Sequence, residues 1–342
     1  MSTPTIFITH DPVLDDVLEQ AAERLQHRGV HVVRGQAPLR GQPPHVPPAL
    51  QQADLAVFTM RTSASAEVLR QCPRLHGVVY PTIGVETLDL GTAYDLGIAV
   101  GHGAMPENYL GVAEATILLM LMLLYNPIAT HEVALGQRPR PQPNAQSVWA
   151  TMLRRKTVGL LGFGRLGRAI AARLQGWEVD ILTHDPYVAA DALPPNVRQV
   201  ALSTLLHDSD LVVVLVALTP ETTRIINRDT LASMRPEAYL INVSRGEAVD
   251  EMALHEALST RRLAGAALDV SQPEPMPVDN PLLHLPNCFV TPHMVGQTRE
   301  VFEAIVPTLI DNLEALLCGQ APRYFKNPEV LSRWHARRLT SC

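Results

Sequence analysis

Three side chains in the second half of the chain can move a proton or hold an anion, and each follows a short apolar run. Arg245 comes after residues 239–243, Glu274 sits between prolines after 263–270, and His293 follows 288–290 in the run TPH. Arginine offers a planar, permanently charged fork that can hold a carboxylate and polarise a neighbouring carbonyl. Histidine exchanges a proton near neutral pH. A glutamate hydrogen-bonded to that imidazole would stabilise its protonated form and raise its pKa, so that it serves as acid when a ketone is reduced. Each residue alone also has a plainer reading: a surface salt bridge, a solvated loop, a turn. Those readings weaken because all three fall after successive strands of what reads as one sheet.

The elements that must position them are set out in residues 156–185. Residues 157–161 are an apolar run of the kind that forms a strand buried on both faces. Gly162, Gly164 and Gly167 follow with GxGxxG spacing. The first permits a sharp turn, the second lets a pyrophosphate approach the backbone, and the third lets helix and strand pack closely. Residues 168–175 then read as a helix whose N-terminus offers unpaired N–H groups and partial positive charge to phosphates. A second apolar strand, 179–182, ends near Asp185, whose carboxylate can accept hydrogen bonds from a ribose 2′-hydroxyl. The same charge repels a 2′-phosphate, so NAD is favoured over NADP. Glycine turns alone are common connectors; strand, turn, helix, strand and acid in this order point to a dinucleotide site.

Further strands are expected at 5–8, 30–33, 55–58, 77–80, 98–100 and 211–216, with a helix over 12–27, which is the rhythm of a parallel α/β sheet. The loop 81–86, with Gly84 beyond a strand's carboxyl end, reads equally as an anion site or a plain turn. The apolar segment 115–124 lies in a helix marked at its start by Pro106, Glu107 and Asn108. It is about half the roughly 20 residues of a membrane span and reads as a buried helix, crossing between domains or packing at a subunit interface. Prolines between Pro38 and Pro48 predict a rigid surface loop, and Pro139, Pro141 and Pro143 another, leading through Trp149 to the central strand.

With 342 residues, two domains are the default. A net charge of −6 without a long basic run gives no electrostatic footprint for nucleic acid or an anionic membrane; Arg333, Arg337 and Arg338 read as a solvated tail. The amino terminus lacks the basic and apolar regions of a signal peptide. Cys72, Cys288, Cys318 and Cys342 are scattered, with no CxxC pair and no metal-ligand grouping, which fits a reducing cytoplasm. Asn242, Val243 and Ser244 match a glycosylation sequon, but at the end of an apolar strand.

Five ordered motifs resemble the D-isomer-specific 2-hydroxyacid dehydrogenase family across nearly the whole chain: GFGRLG with its HDP ending, LTPETTRIIN at 218–227, INVSRGEAVDE at 241–251, AALDVSQPEP at 266–275 and TPHMVGQT at 291–298. The resemblance implies two Rossmann-like/flavodoxin-like doubly wound parallel-sheet domains with a cleft between them. Residues 1–102 plus 296–342 would form a discontinuous substrate-binding domain and 103–295 the NAD-binding domain, with helices near 106–124 and 298–317 as crossovers. Closure would exclude water, and homodimers packed through the coenzyme domain are usual.

The same resemblance implies Arg245, Glu274 and His293 as the catalytic set. Cofactor contacts are expected from Gly162, Phe163, Gly164, Arg165, Leu166, Gly167, Asp185, Pro186, Ala217, Thr222, Val243, Ser244, Asp269, His293 and Gly296, with Asp269 near the nicotinamide carboxamide. Substrate contacts are expected from Ile83, Gly84, Val85, Arg245 and Asn108. The implied activity is NAD-dependent interconversion of a 2-keto acid and a D-2-hydroxy acid, NADH delivering hydride to C2 with His293 as acid, or as base in reverse. An NAD-sensing scaffold like the carboxyl-terminal-binding corepressors, or a dehydrogenase of a non-carboxylate oxyanion such as phosphite, are the alternatives. Two departures bear on substrate shape: Ser271 follows LDV where the family often has phenylalanine, and AMPEN lacks the usual glycine beside Pro106. Formate dehydrogenase, similar to this family, has glutamine where Glu274 stands. The side-chain pocket is expected from loops near Met60, Arg61, Tyr80, Pro81 and Trp149, whose sequence does not fix which acid is used.

Overall fold

Apolar runs of three to five residues become the central strands, buried on both faces, while the edge strands His31–Gly35, Val197–Gln199 and Cys288–Val290 are only partly buried. The computed structural model describes residues 4–140 and 150–341; Pro141, Pro143, Trp149 and Cys342 lie outside them. The strands are β1 (Thr5–Thr9), β2 (His31–Gly35), β3 (Leu55–Val57), β4 (Gly77–Val79), β5 (Ala99–Gly101), β6 (Thr157–Leu161), β7 (Asp180–His184), β8 (Val197–Gln199), β9 (Leu211–Val214), β10 (Tyr239–Asn242), β11 (Gly265–Leu268) and β12 (Cys288–Val290). They form two all-parallel sheets, and the chain divides accordingly into Met1–Asn108 with Gln297–Cys342, and Tyr109–Gly296. Residues 103–108, expected in the second domain, belong with the first. The Gly103 N–H donates to the Thr82 carbonyl at 2.9 Å, and Met105 is buried in that unit's core.

The first unit's sheet has the order β2-β1-β3-β4-β5, reversing between β1 and β3. Helices Asp15–His27 and Arg299–Leu317 cover one face, packing Leu18, Leu25, Leu309 and Leu313 on Ile8, Val57 and Val79. Leu50, Val68, Leu69 and Ala93 cover the other, against Phe7, Ala56 and Val78. The carboxyl-terminal segment closes the open edge at β5: Asn327 accepts from the Val100 N–H at 2.9 Å and donates to the Ile98 carbonyl at 3.0 Å, taking the place of a strand partner. The expected solvated tail is instead a helix, Leu331–Ser341, anchored by fully buried Trp334. Arg337 donates to the carbonyls of Leu75 and Leu96, each at 2.8 Å, so its charge caps backbone acceptors. The Arg333 guanidinium stacks over the Tyr94 ring and Arg338 donates to the Leu317 carbonyl.

The second unit's sheet has the order β12-β11-β10-β9-β6-β7-β8, reversing between β6 and β9. Ligands of such sheets bind beyond the carboxyl ends of the strands, at the switch point. β8 escapes a pattern search because its three residues, VRQ, pair on one side only and have no apolar alternation. The helix expected from 168 starts at Arg165, since Gly164 is its N-cap and Gly167 lies inside its first turn.

The apolar helix Pro106–Tyr125 is long and apolar enough by composition to cross a membrane, and it carries Glu107 and Glu114. Within the chain it is buried on one side. Ala113, Leu119, Met120 and Leu124 are packed into the core, whereas Leu118 is 56 % and Tyr125 44 % exposed, because only one face of the helix meets the sheet.

Candidate active site

The glycine turn after β6 is built by three different constraints. Gly162 has φ of 103°, a left-handed backbone that favours glycine. A Cβ on Gly167 would lie 2.8 Å from the Gly162 carbonyl oxygen, so glycine there allows the helix to pack on the turn. Gly164 has an ordinary φ of −74°, and a Cβ there would meet nothing within 4 Å. Nothing inside the chain requires glycine at 164, and the open space beside it leaves the backbone accessible to a bulky group from outside. The helix Arg165–Arg173 also begins without a side-chain cap, leaving first-turn N–H groups that no intrahelical carbonyl reaches. These residues fit a dinucleotide pyrophosphate.

Asp185 follows β7 with its carboxylate fixed. Its two oxygens accept from the Phe163 N–H at 2.8 Å and the Tyr187 N–H at 2.9 Å. Phe163 itself is buried, with the Arg168 guanidinium 5.1 Å over its ring. Arg165 and Pro186 are exposed and Leu166 half-buried. Beyond β9, the Thr222 hydroxyl donates to the Ala217 carbonyl at 2.6 Å and accepts from the Thr219 N–H at 2.8 Å, closing that turn.

Beyond β10 the side chain of buried Asn242 folds the turn that presents Arg245. Its amide donates to the Arg245 carbonyl at 2.9 Å, and its oxygen accepts from the Ser244 N–H at 3.1 Å and hydroxyl at 2.9 Å. An asparagine so enclosed is no glycan acceptor. Val243 and Ser244 are buried, and Arg245, half-buried, donates from Nη1 to the Ser244 carbonyl at 2.7 Å. Next to it, a Cβ on Gly246 would fall 2.1 Å from the Ser271 carbonyl carbon. Glycine at 246 therefore lets the arginine turn lie directly against the loop after β11.

That loop carries Glu274, whose Oε2 is 3.0 Å from His293 Nδ1 and whose Oε1 accepts from the Ser271 N–H at 3.3 Å. His293 has φ of 56°, an uncommon backbone for a non-glycine residue. Asp269 holds it there. The Asp269 carbonyl accepts from the His293 N–H at 2.7 Å, while its Oδ1 accepts from the Thr291 hydroxyl at 2.8 Å and from the N–H groups of Met294 and Val295 at 2.9 and 3.2 Å. Gly296 lies just beyond, where a Cβ would press within 2.7 Å of Val112. The Arg245 turn thus lies against the loop that carries Glu274, and Glu274 is in direct contact with His293. Among the described residues no group of three or more His, Cys, Asp or Glu is placed to hold a metal ion.

The hydrogen bond to Glu274 raises the His293 pKa against the opposing effect of burial; the charges of Glu274 and Asp269 add to the rise and Arg245 opposes it. Burial works to raise Glu274, but the hydrogen bond and charge of His293, the Ser271 N–H and Arg245 outweigh it, and its pKa is lowered. Burial pushes the Asp269 carboxyl up, against the pull of its hydrogen-bond donors and His293. Imidazole protonation therefore stabilises the fold below the unfolded imidazole pKa, and that contribution is lost as pH rises through the raised value. The Glu274 contribution is present above the ordinary carboxyl pKa and is lost as pH falls through the lowered one.

In the other unit, the loop after β4 is held by its own partners. Ile83 is half-buried, Gly84 and Val85 buried, and His102 Nδ1 lies 3.1 Å from the Ile83 carbonyl oxygen. A Cβ on Gly103 would fall 2.0 Å from the Pro81 oxygen, so this loop too rests on a glycine. Tyr80 is enclosed in the core, its hydroxyl 3.0 Å from the Thr87 hydroxyl, and supports the loop without lining its surface. Arg61 Nη1 sits 3.2 Å from the buried Asp11 carboxylate and Met60 is half-buried, while Asn108 closes the unit with its N–H on the Met105 carbonyl.

The family model for the NAD binding domain of D-isomer specific 2-hydroxyacid dehydrogenases matches residues 118–295. The chain belongs to this family. It is 35 % identical over 287 residues to a protein of Thermofilum pendens named glyoxylate reductase, covering 82 % of this chain and 84 % of that one. It is 35 % identical over 290 residues to glyoxylate/hydroxypyruvate reductase B of Pectobacterium carotovorum, covering 83 % and 88 %. The solved structure of a 2-hydroxyacid dehydrogenase from Ketogulonicigenium vulgare aligns with a TM-score of 0.79 at 26 % identity, covering 95 % of this chain and 99 % of that one. The protein is an NAD-dependent oxidoreductase of keto and hydroxy acids.

Several residues that shape this dehydrogenase's site carry no sequence signal as chemical groups. Asn242 stands in the motif before SRG but reads as strand end, and Gly246 reads as a turn glycine until Ser271 is seen against it. Replacing Gly246 with alanine is expected to cost about 1–3 kcal/mol in urea unfolding by overpacking. It should also lower kcat/KM by about a hundredfold, as Arg245 is displaced from the Glu274 loop; undiminished turnover would show the close approach to be dispensable.

Proposed function

We propose that this dehydrogenase reduces a small 2-keto acid, glyoxylate or hydroxypyruvate, to the D-2-hydroxy acid. The observation that carries the reading is the Glu274–His293 contact of 3.0 Å beside the Arg245 turn, beyond the carboxyl ends of β10, β11 and β12. The names of the two similar reductases support the choice of acid. NADH, when bound at the glycine turn, supplies the hydride. Glu274, ionised, orients the imidazole through Nδ1 and holds it protonated, so that Nε2 delivers the proton to the carbonyl oxygen. Arg245 pairs with the carboxylate and draws charge from the carbonyl. Asp269 keeps the imidazole's backbone in place and is the group assigned to the nicotinamide carboxamide. The unit Tyr109–Gly296 is read as the NAD-binding domain. The other unit is read as the substrate domain, with the loop of Ile83, Gly84 and Val85 as its carboxylate-recognition element and Asn108 as a further substrate contact.

Two expectations extend this reading. Asp185 at the ribose position disfavours a 2′-phosphate, so kcat/KM with NADH should exceed that with NADPH by more than about tenfold, or about 1.4 kcal/mol; equal use of both would overturn it. Leu118 and Tyr125, seven residues apart on one helix, join Ile128, Leu135 and Met152 as exposed apolar side chains of the NAD-binding unit. A second copy of the chain is the proposed cover, forming a homodimer in the cytoplasm. Sedimentation should give a dimer that Leu118→Glu weakens; a monomeric wild type would refute it.

Replacing His293 with alanine should leave NADH affinity intact and cut glyoxylate reduction by about 10² to 10⁴. In the wild type, reduction should fall as pH rises through the raised His293 pKa, and oxidation of the hydroxy acid should rise there, because one direction needs the imidazole charged and the other neutral. A keto-acid panel of glyoxylate, hydroxypyruvate, pyruvate and phenylpyruvate tests the substrate class. Silence across it, with turnover of phosphite and NAD, would sink the proposal.

A further inference from the structure

The loop between β11 and the short helical turn at Pro281–His284 closes two local turns of its own, the Ser271 hydroxyl donating to the Pro273 carbonyl and the Asn280 N–H to the Pro277 carbonyl, each at 2.9 Å. Neither bond ties it to the rest of the unit. Pro273, Pro275 and Pro277 lack N–H groups, and 272–275 and 277–279 are exposed. Yet Glu274 must stand at one position to meet His293, on a different strand's loop. Both ends of the segment turn toward the same side chain, that of Glu251 at the start of helix Glu251–Ser259. Its Oε1 accepts from the Gln272 N–H at 2.7 Å, and its Oε2 from the Asn280 side-chain amide at 3.1 Å. Asn280 is committed in turn, since its oxygen accepts from the Leu282 N–H at 3.0 Å.

We propose that Glu251 is a positioning residue that clasps both ends of the loop carrying Glu274, and so sets the Glu274–His293 pair. The proposal rests on the catalytic reading of that pair but concerns a residue outside it. A glutamate in the first turn of a helix already interacts favourably with the helix dipole, and this role needs no contact with a loop. Here both oxygens are spent on the loop, on a peptide N–H two residues before Glu274 and on a side chain six after it. Glu274, Asp269 and Arg245 are charged groups that act on the His293 imidazole. Glu251 is not among them, so its influence on the imidazole passes through the placement of Glu274.

The test uses the full-length enzyme, with the His293 imidazole titrated by NMR in ¹⁵N-histidine-labelled protein and NADH affinity read by fluorescence. Glu251→Ala should move the His293 titration toward lower pH, in the direction of Glu274→Gln. It should lower kcat for glyoxylate by about tenfold to a hundredfold and leave NADH affinity unchanged. Glu251→Gln keeps an acceptor for the Gln272 N–H and should restore most of both. In a Glu274→Gln background Glu251→Ala should add no further shift. A His293 titration in Glu251→Ala identical to wild type overturns the proposal, whatever the change in Tm. Should that variant fail to fold, Asn280→Ala releases one of the two holds and is read the same way. The NMR measurement does not need turnover. If the titration moves in an enzyme that reduces no 2-keto acid, the clasp stands and the functional reading fails; if reduction proceeds and the titration does not move, the clasp fails.

Discussion

A carboxylate and an imidazole 3.0 Å apart, on loops after different strands, hold each other in their charged forms. The pair spans β11 and β12, so its geometry depends on the register of the sheet. Hydrogen bonds of parallel strands fix that register: Leu268 lies opposite Val290, and Asn242 opposite Leu268. The three strands end level with one another, and the polar residues after them form one row. Close backbone approach at Gly246 then draws Arg245 into that row. The buried Asp269 carboxylate accepts three donors from the histidine loop, fixing a backbone that a non-glycine residue seldom adopts. Rigid strands supply the spacing, and buried polar groups supply the aim.

Much of this was legible in the sequence because the signals are local. Apolar runs, the spacing of Gly162, Gly164 and Gly167, and an acid at 185 are all read within thirty residues. Arg245, Glu274 and His293 stand out because each follows a strand. What was not legible comes from contacts between distant segments. Arg337 looked like tail charge because the carbonyls it caps belong to residues more than 240 positions earlier. β8 is an edge strand whose only argument is its partner, β7. The helix start moved from 168 to 165 because Gly164 ends the turn by geometry, and Gly167 is a packing glycine inside the helix. Glu251 closes its motif without any sign, in one dimension, that a loop twenty residues later folds back onto it.

The first unit shows the same division between local and distant causes. Its five strands come from consecutive apolar runs, but the helix covering one face and the asparagine closing the β5 edge arrive from the far end of the chain. A lobe completed this way cannot finish folding until the intervening unit has been traversed. The buried Trp334 and the carbonyl-capping Arg337 are the fastenings that make the return stable.

Asp185 serves two masters. The oxygens proposed to read the ribose also tie down the N–H groups of Phe163 and Tyr187, so the carboxylate that fastens the glycine turn is also the one proposed to set cofactor choice. On that proposal, cofactor selectivity is not a trait independent of the turn's structure. A substitution that removes the acid to admit a 2′-phosphate also unties the turn proposed to cradle the pyrophosphate. Drift toward NADP would have to pass through a less ordered turn unless the replacement brought its own hydrogen-bond acceptor, and that narrows the residues through which such a change could travel.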